Sequence, residues 1–216
     1  MELNLDEIVL NYGAHGSAED GHCLLEVVSM FAGEDFGDSP ACVDPVLAAF
    51  GRSWNDGMRS DAEREQLKQY ITRLPGTAKG KDLSQKRGWM AADWFIRVHT
   101  AAWLALTPTL AHHAEAIKAT PPITCPSDLE RVQPLLNAAK KDAAAAWDAA
   151  RAAAGAAAGD AARDAAWAAA RDAAWAAARD AAWAAAWDAA GGALDPTVKN
   201  IQASAHELFG AMIDAR

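Results

Sequence analysis

Apolar residues along this chain recur at helical spacing and almost nowhere alternate as strands do. From Leu83 to Leu106, the positions Trp89/Met90, Trp94, Val98, Ala101/Ala102 and Ala105 follow one helix face. Val198, Ile201, Ala205, Leu208 and Met212 make a second stripe, on a last helix that Asp195-Pro196 is expected to start. The run "DGHCLLEVVSMFAGE" is nearly all apolar and predicts a buried helix to about Gly33, with Ser17 and Asp20 as a capping-box pair ahead of it. Asp44-Pro45 puts a capping acid before a proline at the first helical position, so "PVLAAFGRSW" reads as the next helix. Ser60 and Glu63 open a helix over about 61–73, which Pro75-Gly76 stops. Pro108 starts a short helix through His112 and His113, whose rings are expected at a solvated helix end, and Ser127 with Glu130 caps the helix after that.

The first twelve residues, with "LNLDEIVLNY", predict a short extended arm or edge strand. The loop "TPPITCPS" is the best boundary, dividing an N-terminal helical domain (1–120) from an Ala/Trp-rich helical segment (127–216) packed against it as one unit. The fold class is therefore all-α, a multi-helix bundle with an N-terminal arm and a C-terminal Ala-rich helical hairpin.

That hairpin comes from one rule. From Trp147 to Ala190, eleven consecutive tetrads carry Trp, Arg or Gly, then Asp or Ala, then Ala-Ala. Alanine is the strongest helix former, so the array predicts helix. Unbroken, it would be about 66 Å long at 1.5 Å per residue, so a break at Gly155 and Gly159 is favoured over one continuous helix. A period of four advances each large side chain by about 40° around the axis, so Trp167, Trp175, Trp183 and Trp187 cannot share one flat face. Arg163, Trp167, Arg171, Trp175, Arg179 and Trp183 are successive i,i+4 neighbours that can stack guanidinium on indole. The ladder, with Trp187 at its end, is either a packing device or a surface for a partner or ligand.

Composition narrows the function. Half the residues are apolar and nine are Trp, which suits a folded chain rather than a disordered one. A net charge of −9 argues against general nucleic-acid binding, which needs a basic stripe. No apolar run reaches the roughly 20 residues of a membrane span, and the acidic "MELNLDEIVL" lacks the basic start of an export signal. Three cysteines with no CxxC spacing suggest reduced thiols, and the expected setting is the bacterial cytoplasm.

Chemistry is sparse. His15, Cys23 and Cys42 have the right donor types for zinc but no recognised zinc spacing, so no cofactor is predicted and the thiols read as core residues. Glu26 lies inside "CLLEVVSMF", where a carboxylate must be paired or protonated. Arg52 or Arg97 would serve as a structural partner; alternatively Glu26 is catalytic, together with His15 and His99. Asp93 and Arg97 are placed for an i,i+4 ion pair.

The segment "HGSAEDGHCLLEVVSMFAGEDFGDSPACVDPVLAAFGRSWND", with "RLPGTA" and "WMAADWFIRVHTAAWLAL", resembles a family of uncharacterised bacterial and phage proteins. The resemblance covers about residues 13–106 and runs through His15, Cys23, Glu26, Asp38, Pro40, Cys42, Pro45, Asn55 and Asp56, but implies no activity for them. The tail is similar to Ala/Trp/Arg tetrad arrays in phage proteins and in predicted immunity proteins of toxin systems. Together they imply a binding protein of bacterial conflict, for immunity or anti-defence, that sequesters a protein or a small nucleotide-like signal. Two other readings stand beside it: a small metal-assisted enzyme around His15, Glu26 and His99, and a phage assembly protein that forms homo-oligomers through exposed Trp.

Overall fold

Helix caps set most of the element boundaries. In the computed structural model the backbone is described for residues 4–5, 7–165 and 172–216, and side chains for these except 146–165, 172–191 and 193. Among the described residues every regular element is a helix and no strand forms. The order is α1 (Leu24–Ala32), α2 (Pro45–Gly57), α3 (Asp61–Arg64) running into a 3₁₀ turn (Glu65–Tyr70), and α4 (Lys81–Trp94). A π-helical turn (Phe95–Thr100) then leads to α5 (Ala101–Ala105), α6 (Ala111–Lys118), α7 (Pro126–Ala165) and α8 (Asp172–Asp214). The described residues of the arm before α1 form no regular structure, but Leu10 among them is fully buried. No helix among the described residues is long and apolar enough to cross a membrane.

Two compact units emerge, one of residues 1–92 with 206–216, the other of residues 93–205. The division falls inside α4 and α8 rather than at the proline-rich loop. The reason lies at the end of the chain, where Phe209 and Met212 are fully buried in the first unit. Phe209 meets Tyr70 edge-on at 4.8 Å, stacks on Phe50 at 5.5 Å, and meets Trp54 edge-on at 5.8 Å. Within this unit the buried positions of α8 are Phe209 and Met212, with Leu208 rotated partly outward; Ala205, in the other unit, is also buried. Leu24, Leu25, Val27 and Val28 of α1 complete this core with Leu47, Leu67, Ile71 and Leu74. Helix α2 closes on α1 at Gly51, where a Cβ would lie 3.0 Å from Leu25 Cδ2.

In the second unit, Ala101, Ala114 and Ile117 form a small core, with Ile96, Leu104, Leu135 and Leu136 packed on it. The Asp93–Arg97 pair forms as the spacing predicts, at 3.2 Å, and Asp93 Oδ1 also accepts the Ile123 N–H at 2.8 Å.

Several expectations need correction. Ser17 Oγ bonds Asp20 Oδ2 at 2.8 Å, but on a turn; α1 starts only at Leu24, with Cys23 as its cap. The helix opened by Ser60 tightens into a 3₁₀ turn after Arg64. Helix α7 passes through Gly155 and Gly159 to Ala165, so the expected break at the glycines is absent. The three alanines between them and the Ala-rich flanks hold helix strongly enough to carry two glycines, at about 1 kcal/mol each. Whether α7 and α8 pair as a hairpin rests on side chains outside the described residues. Asp195-Pro196 likewise starts nothing, because α8 runs through Pro196. The ring of an interior proline crowds the carbonyl of residue i−4, here Gly192, a position with no side chain to add to the strain.

Candidate functional site

The polar residues of the N-terminal half converge on the start of α1. A helix N-terminus exposes backbone N–H groups that need acceptors. Glu26, at the third helical position, turns back and accepts the Cys23 N–H through Oε2 at 2.7 Å. The same carboxylate accepts the His15 N–H through Oε1 at 2.5 Å, and its Oε2 lies 2.8 Å from His15 Nδ1. Asn55 Oδ1 accepts the Leu24 N–H at 3.2 Å. Asn55 Nδ2 donates to the Asn11 carbonyl at 2.8 Å and to Asp56 Oδ1 at 3.0 Å, and Asp56 Oδ1 accepts the Gly13 N–H at 2.9 Å. Residues far apart in sequence therefore hold the arm onto α1 and α2. Gly21, at φ 136°, lets the backbone cross the His15 ring, since a Cβ there would sit 2.7 Å from His15 Nε2.

Burial pushes the Glu26 carboxyl up, but the N–H donors and the His15 ring outweigh it and hold it below the usual carboxylate range. Its partner is His15, neither of the expected arginines. Arg52 Nη1 donates to the Asp38 carbonyl at 2.7 Å, and Arg97 pairs with Asp93.

The thiols differ from a zinc site. Burial pushes the Cys23 thiol up to about 12, assisted by the Glu26 charge. Burial also raises Cys42, whose backbone N–H donates to Glu34 Oε1 at 2.8 Å. His15, Cys23 and Cys42 do not converge into a ligand cluster.

A second buried polar centre joins the expected cap Asp44 to Arg87, a pairing with no local sequence signal. Asp44 caps α2 through Oδ1, accepting the Val46 N–H at 2.9 Å. Its Oδ2 takes Arg87 Nη1 at 2.9 Å, and both side chains are about 1% exposed. Arg87 also donates to the carbonyls of Thr77 and Met212, each at 2.7 Å, tying α4 to the end of α8. Tyr70 and Gln66 meet His206 in the same unit, with Tyr70 Oη 2.8 Å from Nδ1 and Gln66 Oε1 2.6 Å from Nε2.

His99 lies in the other unit, on the π-helical turn. Thr100 Oγ1 bonds the Phe95 carbonyl at 2.8 Å across that wide turn. Phe95 stacks on His99 at 4.9 Å between centroids, and Trp103 Nε1 donates to His99 Nε2 at 3.1 Å. That bond makes Nε2 the acceptor, so Nδ1 carries the ring proton, and burial holds the imidazole below its usual pKa. His99 Nδ1 and Arg97 Nε are both buried without a partner. Beside His99 the outer face is apolar: Phe95 is 56% exposed and Trp103 38%, with Val98 and Leu106 similarly open.

Of the ladder, Arg163 lies on α7, and Trp175, Arg179, Trp183 and Trp187 on α8. Their side chains, and Trp167 and Arg171 entirely, lie outside the described residues.

These features define a class: an all-α protein with a closed, hydrogen-bonded N-terminal unit and an aromatic helical face on its other unit. The chain matches no protein-family model, no curated protein and no solved structure.

Proposed function

We propose that this is a non-enzymatic binding protein that takes a protein partner on the aromatic face of residues 95–106. The observation that carries the reading is the apolar stripe of Phe95, Val98, Trp103 and Leu106, on a helix whose opposite side packs through Ile96, Ala101 and Leu104. Large aromatic side chains open to solvent and clustered on a rigid element suit a protein interface. The π-helical turn adds to this, because such turns are frequent at functional sites. The chemistry of His15 and Glu26 points the same way. A carboxylate held ionised by backbone donors is a poor general acid, and its imidazole partner is already engaged. A bacterial conflict setting, immunity or anti-defence, follows only from the resemblance of the N-terminal half and the tail.

The test is native mass spectrometry of tagged protein recovered from bacterial cells, wild type beside a Phe95→Ser/Trp103→Ser double variant. Wild type is expected to carry a protein partner of defined mass that the variant loses while keeping its circular dichroism. A clean unliganded mass for wild type, or equal retention by the variant, overturns the proposal.

A further inference from the structure

The geometry points to a binding site for a first-row divalent cation, zinc being the best match, formed by His112, His113 and Asp142. It lies in the unit of residues 93–205, where the first turn of α6 meets α7. One ligand atom from each residue falls within 4.8 Å of the other two, a geometry that no other group of described residues attains.

Consecutive residues on a helix point about 100° apart, yet the His112 and His113 rings lie with centroids 3.9 Å apart and planes tilted by 38°. Both turn toward Asp142, whose Oδ2 is 2.9 Å from His113 Nε2. A hydrogen bond accounts for that pair alone. It leaves open why His112, with solvent available to it, lies against the neighbouring ring. A shared cation accounts for all three. With bonds of about 2.0–2.1 Å to each donor, ligand atoms in a tetrahedral site stand roughly 3.4 Å apart. The observed 2.9 Å contact needs to open by about half an ångström, a shift within reach of side-chain rotation.

The donor set selects the ion. Two imidazoles and one carboxylate favour zinc and its first-row neighbours over magnesium or calcium, which prefer all-oxygen shells. Three protein ligands leave a fourth position for water or an incoming group. Burial is graded to match: the His113 side chain is 8% exposed and forms the floor, while His112 and Asp142 open to solvent and give the ion an entry path. Ala114 and Ile117, on the same helix, are fully buried in the core that Leu135 and Leu136 of α7 pack against, so both ligand-bearing elements are anchored beside the site.

The experiment uses the full chain, stripped with chelator and titrated with zinc chloride by calorimetry, with cobalt(II) absorption reporting the ligand field. Wild type is expected to take one ion per chain and to melt at a higher temperature when loaded. His112→Gln and Asp142→Asn remove exposed ligands, so folding is preserved, as circular dichroism will check. Each is expected to lower affinity by on the order of tenfold or more and to abolish the melting shift. No stoichiometric binding by wild type overturns the site. Unchanged affinity in both variants also overturns it, by placing the ion on thiols or other histidines.

Discussion

In the unit of residues 1–92 and 206–216, the buried polar residues Glu26, Asp44, Asn55, Arg64 and Arg87 all have partners; in the unit of residues 93–205, Arg97 Nε and His99 Nδ1 are buried with none. The first unit uses burial to secure irregular chain. Glu26 fixes the arm, and Arg64 donates Nε to the Asn55 carbonyl and Nη2 to the Met58 carbonyl at the end of α2. The second unit carries two orphaned donors, each costing about 1–3 kcal/mol, and of these His99 lies against the exposed Phe95 and Trp103. Polar burial in the first is paired across its elements, whereas the second leaves two buried nitrogens unpaired.

The contrast breaks most sharply at Arg87. Replacing it with Ala leaves Asp44 charged and unpaired in the core, and truncating one member of a buried pair typically costs about 3–5 kcal/mol. Urea melts of Arg87→Ala are expected to show a loss of that size. A loss below about 1 kcal/mol would mean that the first unit does not depend on its buried charges.

Glu26→Gln should rank next. It keeps the shape but exchanges one acceptor oxygen for a donor facing N–H groups, at an expected cost of about 1.5–3 kcal/mol near neutral pH. Because the Glu26 carboxyl sits below its ordinary value of 4.5 in the fold, the unfolded chain takes up its proton first as acid is added. The stabilisation is therefore complete above pH 4.5 and lost as pH falls through the lower folded value. Wild type and variant are expected to converge in stability over that acid range. A constant gap down to the acid limit would show that the ionised carboxylate is not what holds the arm.

Both residues show where sequence reading reaches and where it stops. Asp44-Pro45 and Ser60 announce their helices because capping is local, and the helical course from Leu83 to Leu106 follows from spacing; its expected single face does not, since Ala101 is buried while Val98 and Ala105 are exposed. Cys23 escapes as a cap because thiols are not among the usual capping side chains, although Glu26 three residues on was half of the signal. The Arg87–Asp44 pair spans 43 positions and the His113–Asp142 contact 29, and tertiary pairs of that reach leave no mark on local pattern. The π-helical turn is equally silent, since it adds one residue to a helix that already looks periodic. Glycines and prolines misled in the opposite direction: Gly155, Gly159 and Pro196 are tolerated inside helices, where local propensity gives way to the surrounding array and to packing.

The smallest stability effect should come from the aromatic face. Phe95 and Trp103 are partly exposed and lose only their contacts with His99 on truncation, an effect on the order of 1 kcal/mol each. Phe95→Ser and Trp103→Ser are therefore expected to lower the urea midpoint only slightly, in contrast to Arg87→Ala. Trp103→Ser carries one added consequence, since it uncovers the His99 ring, whose burial is what lowers its pKa. The His99 imidazole is then expected to titrate closer to its usual range, a shift that proton NMR of the ring would follow. A midpoint loss as large as that of Arg87→Ala would place these aromatics in the core, and the difference between the two units would disappear.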